Sequence, residues 1–395
     1  MAIPFAFIGM NIWDALLESI SGITTTGLTV IEHPDRMPSS FLFARSWLQW
    51  LGGLIILTVA LAFLLRPGEG TRPLREMAQD SGLLRQTAFY RVRYVLAIYI
   101  ALTIAAFLIL FLIEGDVLTA LIHALSSIST GGFSTGASGL EPIIQPTSIA
   151  VLTLFSFLGA TPFVVYAGMF GSHGIPGALV SEFLTLCVLT VVSVSGMVLI
   201  LTWYEGQPWA MAARTGAFLA VSAQTTTGYA LGPISGMGDL AIAFLLPVMI
   251  IGGAGGSTAG GIKVFRLQIF IAIIGAVIRR LMSSPHAVIR LRPGREEFSS
   301  AVVERAVAIA MLYGLTCILS WLIFLAHGYP PLPALFDVVS AMSTVGLSTG
   351  ITSPDLPALL KAVLCADMLL GRLDFLAFLI LFSPQNWLPV RKATS

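Results

Sequence analysis

The sequence predicts an all-α integral membrane protein: four pseudo-repeated units, each a helix, a re-entrant pore loop and a helix, set around a central pore. Three observations predict it. Hydrophobic residues fill 56% of the 395 positions and charged residues only 10%, with a mean hydropathy of +0.90, whereas a soluble domain needs about 25% charged residues to wet its surface. Apolar stretches long enough to cross a bilayer alternate with stretches too short to do so. The short stretches all end in one pattern of hydroxyls and glycine. Soluble enzymes are excluded, and a net charge of +1 argues against a polyanion-binding surface and so against nucleic acid. Cys187, Cys317 and Cys365 lie in apolar runs without ligand or disulfide spacing.

A crossing helix needs about 20 mostly apolar residues. Ser46–Leu65, Tyr94–Ile113, Pro146–Phe170, Phe183–Tyr204 and Ala306–Ala326 meet that without a charge. Leu240–Ile278 is long enough, but Gly252–Gly261 (GGAGGSTAGG) cuts it in two. Leu356–Phe382 carries Lys361, Asp367, Arg372 and Asp374, and brings the expected crossings to seven. Between them lie Asp14–Gly22, Val117–Ser127, Ala210–Ala223 and Pro333–Ala341, too short to span. These read as re-entrant helices. The irregular backbone that follows them is tolerated at membrane depth only where it lines a cavity or is buried in protein. The units divide at residues 1–80, 81–175, 176–285 and 286–395, the third with the broken inner helix.

Arginines set the orientation. Arg66, Arg72, Arg75, Arg85, Arg91 and Arg93 fill one loop; Arg279, Arg280, Arg290, Arg292, Arg295 and Arg305 fill another; Arg391 and Lys392 end the chain. Alternating crossings put all of them on one side, the cytoplasmic one by the positive-inside rule. The opposite face is acidic, with Asp14, Glu18, Glu32, Asp35, Glu114, Glu205, Asp337 and others. That composition suits a mouth that concentrates cations by focusing the field, and equally a merely solvated surface.

Aligned, the four short segments end Ser21-Gly-Ile-Thr-Thr-Thr-Gly27, Ser126-Ser-Ile-Ser-Thr-Gly-Gly132, Ser222-Ala-Gln-Thr-Thr-Thr-Gly228 and Ser340-Ala-Met-Ser-Thr-Val-Gly346. A serine, a Ser or Thr three residues on, a threonine and the glycine agree throughout. A cation entering lipid must exchange its hydration shell for oxygens, and a ring of main-chain carbonyls supplies them without fixed charge. Glycine lets consecutive carbonyls point one way, threonine hydroxyls beside it can add oxygens, and the helices aim their partly negative ends at the same place. Glycine hinges packing helix on helix are the competing reading; they explain the glycines but not the fourfold register.

The Ser-Gly-Ile-Thr-Thr-Thr-Gly loop, the Gly-Gly-Ala-Gly-Gly-Ser-Thr-Ala-Gly-Gly-Ile-Lys break and the late Gly-Arg-Leu-Asp together resemble the Trk/Ktr/HKT superfamily of potassium-uptake proteins, closest to the bacterial TrkH-type subunit. The resemblance implies potassium as the transported substrate, no covalent cofactor, a multi-pass protein of the bacterial cytoplasmic membrane, a homodimer with a pore in each protomer, and a cytosolic nucleotide-binding regulatory subunit of the TrkA/KtrA kind. It implies filter positions at Thr25, Thr26 and Gly27, at Thr130, Gly131 and Gly132, at Thr226, Thr227 and Gly228, and at Thr344, Val345 and Gly346. Glycine in all four units implies potassium preference.

Six glycines in ten residues cannot hold a helix, at about 1 kcal/mol lost per glycine relative to alanine. The run is either a kink or a constriction beneath the filter, and the resemblance implies an intramembrane gate at Gly252, Gly253, Gly255, Gly256, Gly260 and Gly261. It is not a phosphate cradle, because Gly-Lys-Ser/Thr and a preceding strand are missing. Arg372, a charge at bilayer depth, needs a cavity or a partner. The resemblance makes it an electrostatic barrier below the filter; an ion pair, through Asp367, is the structural alternative. The family has glutamate where this chain has Asp374. Lys263 is a pore-facing or loop-anchoring cation, or else snorkels to the interface. The five histidines lack ligand spacing, and no catalytic constellation stands out.

Only thirteen residues precede Asp14, about 20 Å of helix against a ~30 Å core. The first unit is therefore expected to lack its outer helix, by truncation, and to leave one seam of the pore wall open to lipid. A carrier of another solute would show two inverted repeats and two broken helices, against four parallel repeats and one broken helix here. A non-conducting assembly subunit is the third possibility.

Overall fold

A computed structural model describes residues 9–64, 84–136, 140, 145–170, 177–282 and 300–372. Arg66, Arg72, Arg75, Arg290, Arg292, Arg295, Asp374, Arg391 and Lys392 lie outside the described residues. Among the described residues all regular structure is helical. Unit one supplies α1 (Ile12–Ile23) and α2 (Ser39–Leu64); unit two α3 (Leu84–Glu114), α4 (Val117–Ile128), α5 (Pro146–Ala160) and α6 (Phe163–Phe170). Unit three supplies α7 (Gly177–Leu199), which widens into a π-helical turn over Ile200–Tyr204, then α8 (Trp209–Gln224), α9 (Asp239–Ile251) and α10 (Val264–Met282). Unit four supplies α11 (Ser300–Ala326), α12 (Pro331–Met342) and α13 (Ala358–Arg372).

The four re-entrant helices form where the short apolar stretches stand. Each is one turn or two too short to span, and two are started by side-chain caps: Asn11 accepts from Trp13 N–H and Asp116 from Thr119 N–H. Four helices among the described residues are long and apolar enough to cross a membrane: Ser39–Val59, Val92–Glu114, Gly177–Tyr204 and Ser300–Ala326. One expected crossing is corrected. Pro146–Phe170 is two helices, not one, because Pro162 has no N–H to continue the ladder and the chain turns extended at Thr161 (ψ 146°).

The units close into a ring. Every inner helix packs on the re-entrant helix of its own unit and on that of the next: α2 on α1 and α4, α5 on α4 and α8, α9 on α8 and α12, and α13 on α12 and α1. The last of these joins the end of the described chain to its start. Outer helices α3, α7 and α11 stack behind α4, α8 and α12.

Several acids expected on a water-facing surface are instead internal. Asp14 pairs with Lys361 at 2.5 Å across the α1–α13 joint, and the same ammonium donates to the Pro354 carbonyl at 2.7 Å. Glu18 pairs with the buried Arg45 at 3.0 Å, and Asp337 is enclosed by hydroxyls and amides. Opposite charges are stable there only when paired, so these residues tie elements together rather than build an acidic mouth. Asp14→Ala should leave Lys361 buried with one carbonyl for company and lower stability by about 3 kcal/mol. Adding Lys361→Met should recover most of the loss in the thermal unfolding midpoint of detergent-purified protein.

Candidate functional site

All four re-entrant helices end in the same turn. The capping residues Thr24, Ser129, Thr225 and Ser343 remain right-handed, and the next residues, Thr25, Thr130, Thr226 and Thr344, are left-handed at φ 53°, 50°, 55° and 51°. Two hydrogen bonds close each turn. The N–H groups of Thr26, Gly131, Thr227 and Val345 donate to the carbonyls of Ser21, Ser126, Ser222 and Ser340 at 2.9, 2.8, 2.9 and 2.8 Å; those of the left-handed threonines reach Gly22, Ser127, Ala223 and Ala341. This is the Schellman closure, which glycine usually occupies. A left-handed threonine costs roughly 1–2 kcal/mol, so the surroundings must hold it. They do: all four are fully buried. A Cβ added at the inner-helix glycines Gly52 and Gly159 would lie 3.1 Å from the Cγ2 of Thr25 and of Thr130. Thr226 Oγ1 accepts the Gly260 N–H at 2.6 Å.

Two residues on, the filter-position glycines take φ 90°, 77°, 79° and 92° at Gly27, Gly132, Gly228 and Gly346, which a side chain would resist. Space forbids one too. A Cβ on Gly27 would strike the carbonyl oxygen of Gly131; on Gly132, that of Thr227; on Gly228, that of Val345; on Gly346, that of Thr26. The relation runs once around and returns to its start, so the four glycines and the four carbonyls before them form one closed ring. Each ring glycine is half-buried while the two residues before it are buried, the pattern of a wall around a narrow axial opening. The threonine hydroxyls are inside the wall. Thr26 Oγ1 bonds Thr24 and Thr227 Oγ1 bonds Thr225, both at 2.8 Å, which leaves main-chain oxygens at the ring.

In units one and four a buried carboxylate nine residues before the ring glycine braces the segment that climbs away from it. Glu18 Oε1 accepts from Thr29 Oγ1 and Val30 N–H, at 2.5 and 2.9 Å. Arg45 joins the same threonine at 2.9 Å and lies 3.9 Å over the Phe133 ring of unit two. Asp337 accepts from Ser348 Oγ, Thr349 N–H and Thr352 Oγ1, at 2.7, 2.8 and 2.7 Å. Units two and three carry His123 and Leu219 there.

Beneath the ring lies the glycine run. It is a folded loop over residues 252–263, with left-handed turns at Gly252, Gly256, Gly261 and Lys263. It is stitched to the broken inner helix of unit two: Ala254 N–H donates to Ala160 O, Thr258 N–H to Gly159 O and Phe163 N–H to Gly256 O, all at 3.1 Å. The two breaks thus satisfy one another's freed backbone groups. The loop also reaches three helix ends, through Thr258 Oγ1 to Ile128 O, Gly261 N–H to Ser343 O, and Gln224 Nε2 to Gly252 O. Arg372 donates to the Thr258 carbonyl at 2.8 Å and makes no ion pair with Asp367, whose Oδ1 takes Ser320 Oγ. Lys263 Nζ donates to Ala259 O inside the loop. From outside, Glu182 on α7 accepts the N–H groups of Gly255 and Phe265 on one oxygen, at 2.6 and 3.1 Å.

A family model described as TrkH, cation transport protein, matches residues 6–175 and 177–388. The chain belongs to the TrkH cation-transport family. It is 28% identical over 401 residues to the Trk system potassium uptake protein TrkH of Escherichia coli K12, across 98% of this chain and 82% of that one. It is 30% identical over 390 residues to TrkH of Halomonas elongata, across 95% and 79%. The crystal structure of the potassium transporter TrkH from Vibrio parahaemolyticus superposes with a TM-score of 0.84 at 28% identity, over 96% of this chain and 80% of that one.

Members of the TrkH family are transporters and not enzymes, and this TrkH-family chain is a multi-pass membrane protein. The structure gathers the twelve residues expected at the filter into one ring and its supports. It places the six glycines of the run, Lys263 and Arg372 together below it. Sequence reasoning missed Glu182, which holds the loop from far along the chain, and the bracing of the segments beyond the ring by Glu18 and Asp337. Their signal was available: an acid inside an otherwise apolar helix needs a buried partner. Glu182→Leu should take the acceptor from the half-buried Gly255 and Phe265 N–H groups and loosen the loop by about 2 kcal/mol, read as faster amide exchange across residues 252–263. Glu182→Gln, which keeps an acceptor oxygen, should exchange nearly as slowly as the parent.

Proposed function

We propose that this chain is the pore-forming subunit of a potassium-uptake system, passing dehydrated potassium through the ring of main-chain oxygens and closing the path with the glycine loop and Arg372. One observation carries the reading: each ring glycine abuts the carbonyl before the next ring glycine, four times around. Four re-entrant helices aim their partly negative ends at that ring, and carbonyls held by a closed backbone exchange for hydration water without adding a fixed charge. The names of the relatives, potassium uptake proteins, support the choice of ion. Potassium is the substrate, and no covalent cofactor takes part.

On this reading the loop bars the path beneath the ring, a role supported by the Arg372 guanidinium donating to its Thr258 carbonyl. Its bonds are numerous but spread over units two, three and four, so a change in how those units pack would release them together. On this reading the chain sits in a bacterial cytoplasmic membrane with its arginine-rich side inward, pairs with a second copy, and is gated by a cytosolic nucleotide-binding subunit.

Two inner helices are broken, not one, so the count of breaks no longer separates a pore from a solute carrier. The fourfold closed ring still does, since carrier sites are built at the junction of two repeats.

Rubidium tracer uptake into liposomes, with sodium and a neutral solute as competitors, tests the reading. Gly228→Ala should abolish flux, because its Cβ meets the Val345 carbonyl at φ 79°. Arg372→Ala should raise flux about tenfold in the absence of a regulatory subunit, the worth of one charge-assisted hydrogen bond that holds the loop closed. Solute exchange without cation flux would favour a carrier, and silence in the parent protein an assembly subunit.

A further inference from the structure

The residue before the ring glycine carries a side chain in three units, Thr26, Thr227 and Val345, and none in the second, Gly131. The backbone does not require this glycine, for Gly131 lies outside the left-handed set. What excludes a side chain is Gln49. A Cβ built on Gly131 would fall 2.6 Å from Gln49 Oε1 and 2.8 Å from Nε2. Gln49 comes from α2, the inner helix of unit one, and is fully buried.

Its carboxamide hydrogen-bonds three groups of unit two. Nε2 donates to the Gly131 carbonyl at 2.5 Å, and Oε1 accepts from Ser126 Oγ at 2.6 Å and from Phe133 N–H at 3.2 Å. The amide cannot be turned over, because a main-chain N–H only donates and a carbonyl only accepts. The three contacts fall on the serine that begins the repeat, the residue before the ring glycine and the residue after it. Three residues before the inner-helix glycines Gly159, Gly252 and Gly371, the other units place Ser156, Met249 and Met368. A long amide stands only where the next unit lacks a side chain behind its carbonyl.

We propose that Gln49 is the specificity-setting side chain of unit two's filter position, supplied by the neighbouring unit: it occupies the volume behind Gly131 and fixes the direction of the Gly131 carbonyl. The proposal rests on reading the ring as the filter. The four oxygens of Thr26, Gly131, Thr227 and Val345 then differ in strength, because among the described residues only that of Gly131 accepts a hydrogen bond. Gln49 and Gly131 are one exchangeable pair, equivalent to the single Thr or Val of the other units.

The test is a four-variant cycle on the full chain in liposomes, reading potassium flux and potassium-over-sodium preference at matched incorporation. Gly131→Thr alone should cut potassium flux at least about tenfold, because the new side chain overpacks against the amide. Gln49→Ala alone should keep conduction but cut the preference about tenfold, because a cavity and two unpaired donors free the carbonyl. The double variant should return both quantities to within about threefold of the parent, by restoring a filled volume. If Gln49→Ala fails to fold, recovery of folded yield and preference in the double variant still carries the proposal. A tolerated Gly131→Thr, or a double variant no better than the worse single, overturns it. Gly228→Ala is the control on the reading beneath. An inactive Gly228→Ala beside a fully selective Gln49→Ala sinks the Gln49 proposal alone, whereas a conducting Gly228→Ala sinks the filter and the proposal together.

Discussion

Main chain that leaves the helix at bilayer depth must find its hydrogen bonds inside the protein, because lipid offers none. Six segments of this chain leave it there: the four turns after the re-entrant helices, and the facing breaks in units two and three. Every turn closes on its own helix with two bonds. Neither break can do so, since Pro162 lacks the donor and the glycines lack the propensity. They pair instead, each break supplying what the other needs. The loop below the ring is thus not an accident of weak helix formers. It is folded by the same demand that shapes the ring above it.

That demand also explains the left-handed threonines. Glycine at those positions would relieve about 1–2 kcal/mol each, yet would leave the turn free to open in both directions. Threonine restricts χ1 as well as φ, and its buried methyl and hydroxyl key into small residues of the inner helices. Strain at four equivalent positions is tolerable because the packing around each determines it. The direction of the ring oxygens, set two residues further on, inherits that rigidity.

Much of this was legible in the sequence. The re-entrant helices begin and end within three residues of the apolar stretches that announced them, because a short apolar run followed by hydroxyls and glycine has few other uses in a membrane. The ring glycines stood out by register alone. The handedness of Thr25, Thr130, Thr226 and Thr344 did not, since β-branched residues rarely enter that region and their hydroxyls suggested a ligand role. Glu18, Asp337 and Asp14 passed for surface acids because their partners, Arg45, Thr352 and Lys361, lie on other segments that only the fold brings against them. The break at Thr161 was marked by Pro162 but hidden by an apolar run long enough to span.

Fourfold topology does not make four equal units. Units one and four brace the segment beyond the ring with a buried carboxylate, and their inner helices α2 and α13 run unbroken through the described residues. Units two and three lack that carboxylate and carry both breaks. One half of the ring is therefore braced by charge-assisted bonds to its pore helices that the other half lacks, while the loop bonds to units two, three and four. Unit two is also the unit whose carbonyl is held by Gln49 from the anchored side. That bond reaches across the boundary between the two halves and ties them together at the ring itself.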